Sequence, residues 1–137
     1  MTIFYLDTSV LLRVLFDEPN RLDEFDEISS AVSSEILRVE CLRSADRYRI
    51  RNDLSEGEYV VRVELIQKFL KGIELLKLSA EILGRASQSF PLSIGTLDAL
   101  HLSTCLAYRD RHEDLVLCSH DESLKKAARA MGIEVKG

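Results

Sequence analysis

Ile3-Phe4-Tyr5-Leu6-Asp7-Thr8-Ser9-Val10-Leu11-Leu12, residues 3–12, decides how the rest of the chain is read. Its first four residues form a short, continuous apolar run of good β-formers, the pattern of a central strand covered on both faces. Asp7 stands at the carboxyl end of that run. Thr8 or Ser9 can cap the helix that follows, whose Val10, Leu11, Val14 and Leu15 recur at three-to-four spacing. A strand, an acid at its end and an amphipathic helix make the opening unit of an α/β domain.

Working outward, the same alternation continues. Pro19-Asn20 breaks the chain, and Asn20 reads as the N-cap of a short second helix carrying Leu22, Phe25 and Ile28. Asp23 and Glu24 then suit the positive end of its dipole. Ala31-Val32-Ser33 is a brief second strand. A longer helix from Ser34 to about Tyr48 follows, with Leu37, Cys41, Ser44 and Tyr48 in one stripe and a basic far end at Arg43, Arg47, Arg49 and Arg51. Ser55 and Glu58 have the spacing of a capping box, opening a helix through Tyr59, Val60, Val63, Ile66 and Leu70.

Ile73 to Leu78 has strand character, and Ser79 caps a helix through Ile82, Leu83 and Ala86. After an irregular loop marked by Pro91 and Gly95, Thr96 is the expected N-cap of a helix that buries Leu97, Leu100, Thr104 and Ala107 and places Asp98 in its first turn. Leu115-Val116-Leu117-Cys118 is another buried-type strand, with Asp121 just beyond it. A last helix carries Leu124, Ala127, Ala128 and Met131; Gly132 fits its C′ position, and a final strand covers Ile133-Glu134-Val135. Strands alternating with helices predict an α/β fold around a mostly parallel sheet.

At 137 residues and 46% hydrophobic, the chain is expected to form a single domain over residues 1–137. Interspersed charges of both signs, 30% of the chain, argue against disorder and low-complexity tracts. The amino-terminal residues lack the pattern of a signal peptide, and no stretch is long enough to span a bilayer. Cys41, Cys105 and Cys118, odd in number and each within an apolar run, suit buried free thiols. A cytoplasmic setting without a membrane partner is expected. The net charge of −5 opposes binding of nucleic acid through an overall basic field. Carboxylates gathered around a cation would reverse that sign locally.

Four acids are placed to gather in that way. Sites in open α/β sheets form outside the carboxyl ends of the strands, where the strand order reverses. Asp7 ends the first strand, Asp121 lies just past another, and Glu40 sits on the helix leaving the second, about 9 Å beyond Ser34 at the helical rise per residue. Asp98 begins a helix, where the dipole tolerates a carboxylate. Such a set suits metal-assisted phosphodiester hydrolysis, since hard cations choose oxygen ligands and generate a hydroxide-like nucleophile from bound water. Singly, each acid also has a structural reading. Asp7 and Asp121 can be helix caps, Asp98 a dipole partner, and Glu40 a partner of Arg43 at i+3. His101 reads as a partly buried helix residue, and His120 as an exposed loop histidine. Phe16, Phe25 and Phe69 read as core.

Tyr5-Leu6-Asp7-Thr8-Ser9-Val10-Leu11-Leu12, the stretch from Ser33-Ser34 to Glu40, Thr96-Leu97-Asp98-Ala99-Leu100-His101, and Ser119-His120-Asp121 resemble, in this order, the four signatures of the PIN domain. The likeness is closest to the VapC toxins of toxin–antitoxin pairs and covers nearly the whole chain. It implies a three-layer α/β/α sandwich, Mg²⁺- or Mn²⁺-dependent endonuclease activity on RNA, a VapB-type antitoxin partner and a homodimer. It also implies that Asp7, Glu40, Asp98 and Asp121 are the catalytic and metal-holding acids, with Thr8 and Ser119 as supporting hydroxyls. Arg13 and Arg43 are candidate contacts to RNA or antitoxin. Leu124 departs from the pattern, since many relatives carry an aromatic residue there. The competing readings are a catalytically silent PIN-fold binding or scaffold module and a phosphotransfer domain. The latter is disfavoured because Ser9 stands where an aspartyl phosphatase needs a second aspartate.

Overall fold

The computed structural model describes residues 2–137. Five strands, β1 (Ile3–Leu6), β2 (Ala31–Ser34), β3 (Glu74–Leu76), β4 (Leu115–Cys118) and β5 (Glu134–Lys136), form one parallel sheet in the order β3-β2-β1-β4-β5. Six helices, α1 (Thr8–Leu15), α2 (Ile36–Asn52), α3 (Glu56–Lys71), α4 (Ala80–Ala86), α5 (Thr96–Arg109) and α6 (Glu122–Ala130), connect them. The chain winds outward from β1 through β2 to β3, then returns to place β4 on the other side of β1. The strand order therefore reverses between β1 and β4, which is where a crevice opens at the carboxyl rim.

The alternation of side chains along β1 and β4 divides the core. Ile3, Tyr5, Leu115 and Leu117 point to one face and pack with Leu102, Cys105 and Leu106 of α5 and with Leu124, Ala127 and Ala128 of α6. Leu6, Val116 and Cys118 point to the other, against Val10 of α1 and Leu22. Outside that face, Leu11 and Leu15 of α1 meet Leu37, Cys41 and Ala45 of α2 and Ile66 and Leu70 of α3. The result is a three-layer α/β/α sandwich. Leu124 is fully buried, filling its position in the core as a branched aliphatic group. All three cysteines are buried free thiols, and burial pushes Cys41 and Cys118 each up to about 12.

Several local expectations are corrected. Residues around Asn20 do not form the expected helix; only a single 3-10 turn at Phe25–Glu27 is present, and Asn20 itself adopts φ 61°, a left-handed conformation suited to a turn. Asp7, not Thr8 or Ser9, occupies the N-cap position of α1, although its side chain caps nothing there. Gly95 takes the N-cap position of α5, with Thr96 as its first residue. α2 starts two residues later than expected and runs four residues beyond Tyr48. Leu97, expected on the buried side of its helix, is exposed, as are Val60 and Leu83, which follow helical spacing in theirs. By contrast, Ser55 caps α3 as expected, although the reciprocal bond of a full capping box is replaced by one between the two side chains. Its hydroxyl accepts from the Glu58 amide at 3.2 Å and lies 3.0 Å from the Glu58 carboxylate. No helix among the described residues is long and apolar enough to cross a membrane.

Candidate metal centre at the carboxyl rim

Asp7 reaches the rim because β1 ends one residue before it, with its amide still bonded to the Cys118 carbonyl of β4 at 3.0 Å. The carboxylate is only 4% exposed. Two hydroxyls hold one of its oxygens: Ser9 donates to Oδ2 at 2.7 Å and Ser119 at 2.8 Å. Oδ1 is left without a hydrogen-bond donor among the described residues; its nearest basic atom is His101 Nε2, at 3.8 Å.

Glu40 is treated in the same way by different elements. Thr8 donates to Oε1 at 2.8 Å, and His101 Nε2 lies 2.6 Å from the same oxygen. A carboxylate only accepts, so the proton between His101 and Glu40 sits on Nε2. Tyr5 Oη, 2.8 Å from Nδ1, closes a chain from β1 through α5 to α2. His101 is fully buried, which corrects the expectation of a partly buried helix residue: its ring is the link between the two helical layers across the sheet rim. Its signal in the sequence was weak because its partners lie 61 and 96 residues away.

Asp98 lies in the first turn of α5, as expected, and is half-buried. Its carboxyl is pushed up from 3.8 to about 6, first by burial and then by the negative charges of Asp121 and Asp7, with a smaller push from Glu40 and partial relief from His101. The four acids are thus within electrostatic reach of one another. Asp121 is the N-cap of α6: its Oδ1 accepts from the Leu124 amide at 2.8 Å, while its own amide donates to Ser119 Oγ at 3.0 Å. Its structural role as a cap is therefore real, and one of its oxygens is committed to it.

Among the described residues, none of the four acids is paired with lysine or arginine. The donor set of half-free carboxylates with uncompensated charge fits a hard divalent cation. No three acid, imidazole or thiol side chains among the described residues stand close enough to form a finished ligand set. A partial set still suits a cation that keeps several of its waters and takes few protein carboxylates.

The remaining candidates lie at the edge. Arg13 donates to the Asn20 carbonyl at 2.7 Å, tying α1 to the loop after it. Arg43 does not reach Glu40; it pairs with Asp46 at 3.3 Å, sharing that carboxylate with Arg49. His120 is half-buried rather than an exposed loop residue. Its amide donates to Ser9 Oγ at 2.9 Å, and burial and the nearby Arg13 and Lys125 charges lower its pKa, favouring the neutral ring. Phe16 is buried, whereas Phe25 and Phe69 are half-buried and line an apolar groove between the 3-10 turn and α3.

Comparison with known proteins places the chain among relatives of the same fold. The chain is 28% identical over 142 residues to Ribonuclease VapC46 of Mycobacterium tuberculosis (strain ATCC 25618 / H37Rv), covering 98% of this chain and 97% of the relative. It is 26% identical over 137 residues to Ribonuclease VapC47 of the same species (strain CDC 1551 / Oshkosh), covering 95% and 93%. In three dimensions it resembles a chain of VapBC2 from Rickettsia felis, solved bound to a DNA fragment from the promoter, with TM-score 0.66, 15% identity and 98% coverage of both chains. It also resembles a chain of VapBC-1 from nontypeable Haemophilus influenzae, with TM-score 0.64, 16% identity and coverage of 98% and 97%. The PIN domain profile matches residues 4–130, and the chain belongs to the PIN domain family.

Proposed function

We propose that this chain is a divalent-metal-dependent endoribonuclease, the toxin of a VapBC-type toxin–antitoxin module. The observation that carries this reading is the placement of Asp7, Glu40, Asp98 and Asp121 at the carboxyl rim with no arginine or lysine paired to them among the described residues; burial first, and then the charges of Asp121, Asp7 and Glu40, push Asp98 up to about 6. Asp7 and Glu40 each have one oxygen held by two donors, which fixes the carboxylates and leaves Asp7 Oδ1 and Glu40 Oε2 without a donor among the described residues and available to a ligand. Asp98 and Asp121 complete the acidic set. Asp7, Glu40, Asp98 and Asp121 would hold a Mg²⁺ or Mn²⁺ ion, which when bound would activate a water and neutralise charge on the phosphate. Thr8 and Ser119 keep the acids in place, and burial of Asp7 limits competing water.

The names of the relatives support RNA as the substrate, and the titles of the solved neighbours support a VapB-type antitoxin as partner. Homodimerisation belongs to the same reading, and the exposed apolar side chains of Val60, Val61, Leu83 and Leu97 offer surface for either partner to cover.

The test is RNA cleavage by the purified protein with Mg²⁺ or Mn²⁺, abolished by EDTA; full cleavage in EDTA would remove the basis for the site. A second measurement separates the enzyme from a silent scaffold. Saturating Mn²⁺, about 100 times its Kd, is expected to stabilise the native state by ~2.7 kcal/mol. For a domain of this size that raises Tm by roughly 5–10 °C. No shift at millimolar Mn²⁺ would favour the scaffold.

The pH dependence has a defined sign. Because folding raises the Asp98 pKa, its proton stabilises the metal-free fold most fully below about 3.8, and that contribution is lost as pH rises through about 6. A cation competes with the same proton. The Mn²⁺-induced rise in Tm is therefore expected to be large at pH 7.5 and to shrink as pH falls below about 6, as thermal melts across that range will show.

A further inference from the structure

α1 and α2 lean together over a valley that begins at the candidate metal centre. From α1 it is lined by Ser9, Leu12, Arg13 and Phe16, and from α2 by Ser44, Arg47, Tyr48, Arg51 and Asn52, with Glu18 beside them. Both sets follow helical spacing, so each helix presents one continuous stripe. Ser9, at the inner end, is the residue whose hydroxyl holds Asp7. Phe16 and Tyr48 are stacked at 4.6 Å between ring centroids and make the floor firm. The opening holds about 490 Å³.

The arginines of α2 are sorted by which way they face. Arg43 and Arg49, outside the valley, share the Asp46 carboxylate and are neutralised by it. Those lining the valley are not. Arg47 donates only to the neutral Ser44 hydroxyl, Arg13 to the neutral Asn20 carbonyl, and neither they nor Arg51 pair with a carboxylate among the described residues. Three guanidinium groups face one carboxylate, Glu18, in a chain whose net charge is −5. Arg47 and Arg51 stand one helical turn apart on one face of α2, about 10 and 16 Å along the helix from Glu40. Guanidinium groups left with neutral partners retain their capacity for bidentate bonds to phosphate.

We propose that this valley is the track for the RNA strand flanking the cleaved phosphate, with Arg13, Arg47 and Arg51 holding successive backbone phosphates as the strand leaves Asp7. The inference rests on the ribonuclease reading and assigns that enzyme's substrate a direction across the surface. It also accounts for how an acidic protein engages a polyanion: three arginines without carboxylate partners line one furrow that ends at Ser9, beside Asp7.

Binding is tested in the full chain carrying Asp7→Asn, so that a fluorescent single-stranded RNA is held but not cut, with fluorescence anisotropy read over a series of salt concentrations. Adding Arg47→Ala and Arg51→Ala is expected to weaken RNA binding at least ~10-fold at 0.1 M salt and to reduce the slope of log K against log salt by about 1.4, the share of two phosphate contacts on a single strand. Arg47→Lys with Arg51→Lys should recover part of the affinity. Lys71→Ala with Arg111→Ala removes the same charge from just before β3 and β4, at the opposite rim, and should leave affinity unchanged. Equal weakening by both pairs of alanine substitutions, no weakening by Arg47→Ala with Arg51→Ala, or loss of antitoxin binding alone would overturn the track. A parent protein that binds no RNA would overturn it too. Failure of the ribonuclease reading shows separately, as RNA binding without metal-dependent cleavage by the unsubstituted chain.

Discussion

Asp7→Asn is expected to abolish metal-dependent RNA cleavage, by ~10³-fold or more, while leaving the fold intact. A thousandfold corresponds to about 4 kcal/mol of transition-state stabilisation, the scale expected when an anionic ligand to a Lewis-acid metal is lost. The fold should tolerate the change, because asparagine keeps the shape of the side chain and its carbonyl oxygen can still accept from Ser9 and Ser119. Removing one negative charge from a group of four should also lower the Asp98 pKa, since Asp7 is one of the charges raising it. Circular dichroism should therefore match the parent, with Tm unchanged or higher without metal. The Mn²⁺-induced rise in Tm should largely disappear. Substantial cleavage by this variant would place the chemistry elsewhere.

His101→Ala should have the largest effect on stability. The ring is fully buried, links three elements and accounts for the only long-range polar chain crossing from one helical layer to the other among the described residues. Its removal leaves a cavity, deprives buried Tyr5 of its Nδ1 partner and releases Glu40 from one of two donors. A loss of ~3 kcal/mol or more follows from cavity and unsatisfied-polar costs together, or roughly 10 °C in Tm. His101→Gln can donate to Glu40 and accept from Tyr5, so it should recover part of that loss. Because the ring orients a candidate ligand, weaker Mn²⁺ binding by ~10–100-fold is expected in the alanine variant even at temperatures where it is folded. Isothermal titration with Mn²⁺ separates this from simple destabilisation. Unchanged metal affinity in folded His101→Ala would reduce the residue to a packing element.

What could be read from the sequence and what could not divide along a physical line. β1, β4, the Ser55 cap of α3 and the placement of Asp98 in a first helical turn depend on residues within a few positions of one another, and local pattern sufficed for them. The helix expected after Asn20 had caps and spacing but only a short length, and a short helix gains little without tertiary support; the chain instead turns through a left-handed Asn20. Leu97, Val60 and Leu83 matched helical stripes but sit where no neighbouring layer covers them, which depends on the arrangement of elements rather than on spacing. The partners of His101 and Arg43 were hidden for the same reason. One finds its partners 61 and 96 residues away; the other prefers Asp46 over Glu40, a choice between two acids at the same distance along a helix.

Asp7 is made well before Ser119, which holds it from 112 positions away. β1 likewise pairs with β4 across most of the chain. A ribosome still synthesising the protein thus carries a segment whose acids cannot yet be assembled, because the strand that positions them has not emerged. Under the ribonuclease reading, this ordering keeps the nascent polypeptide unable to cut RNA until β4 has been made and has paired with β1.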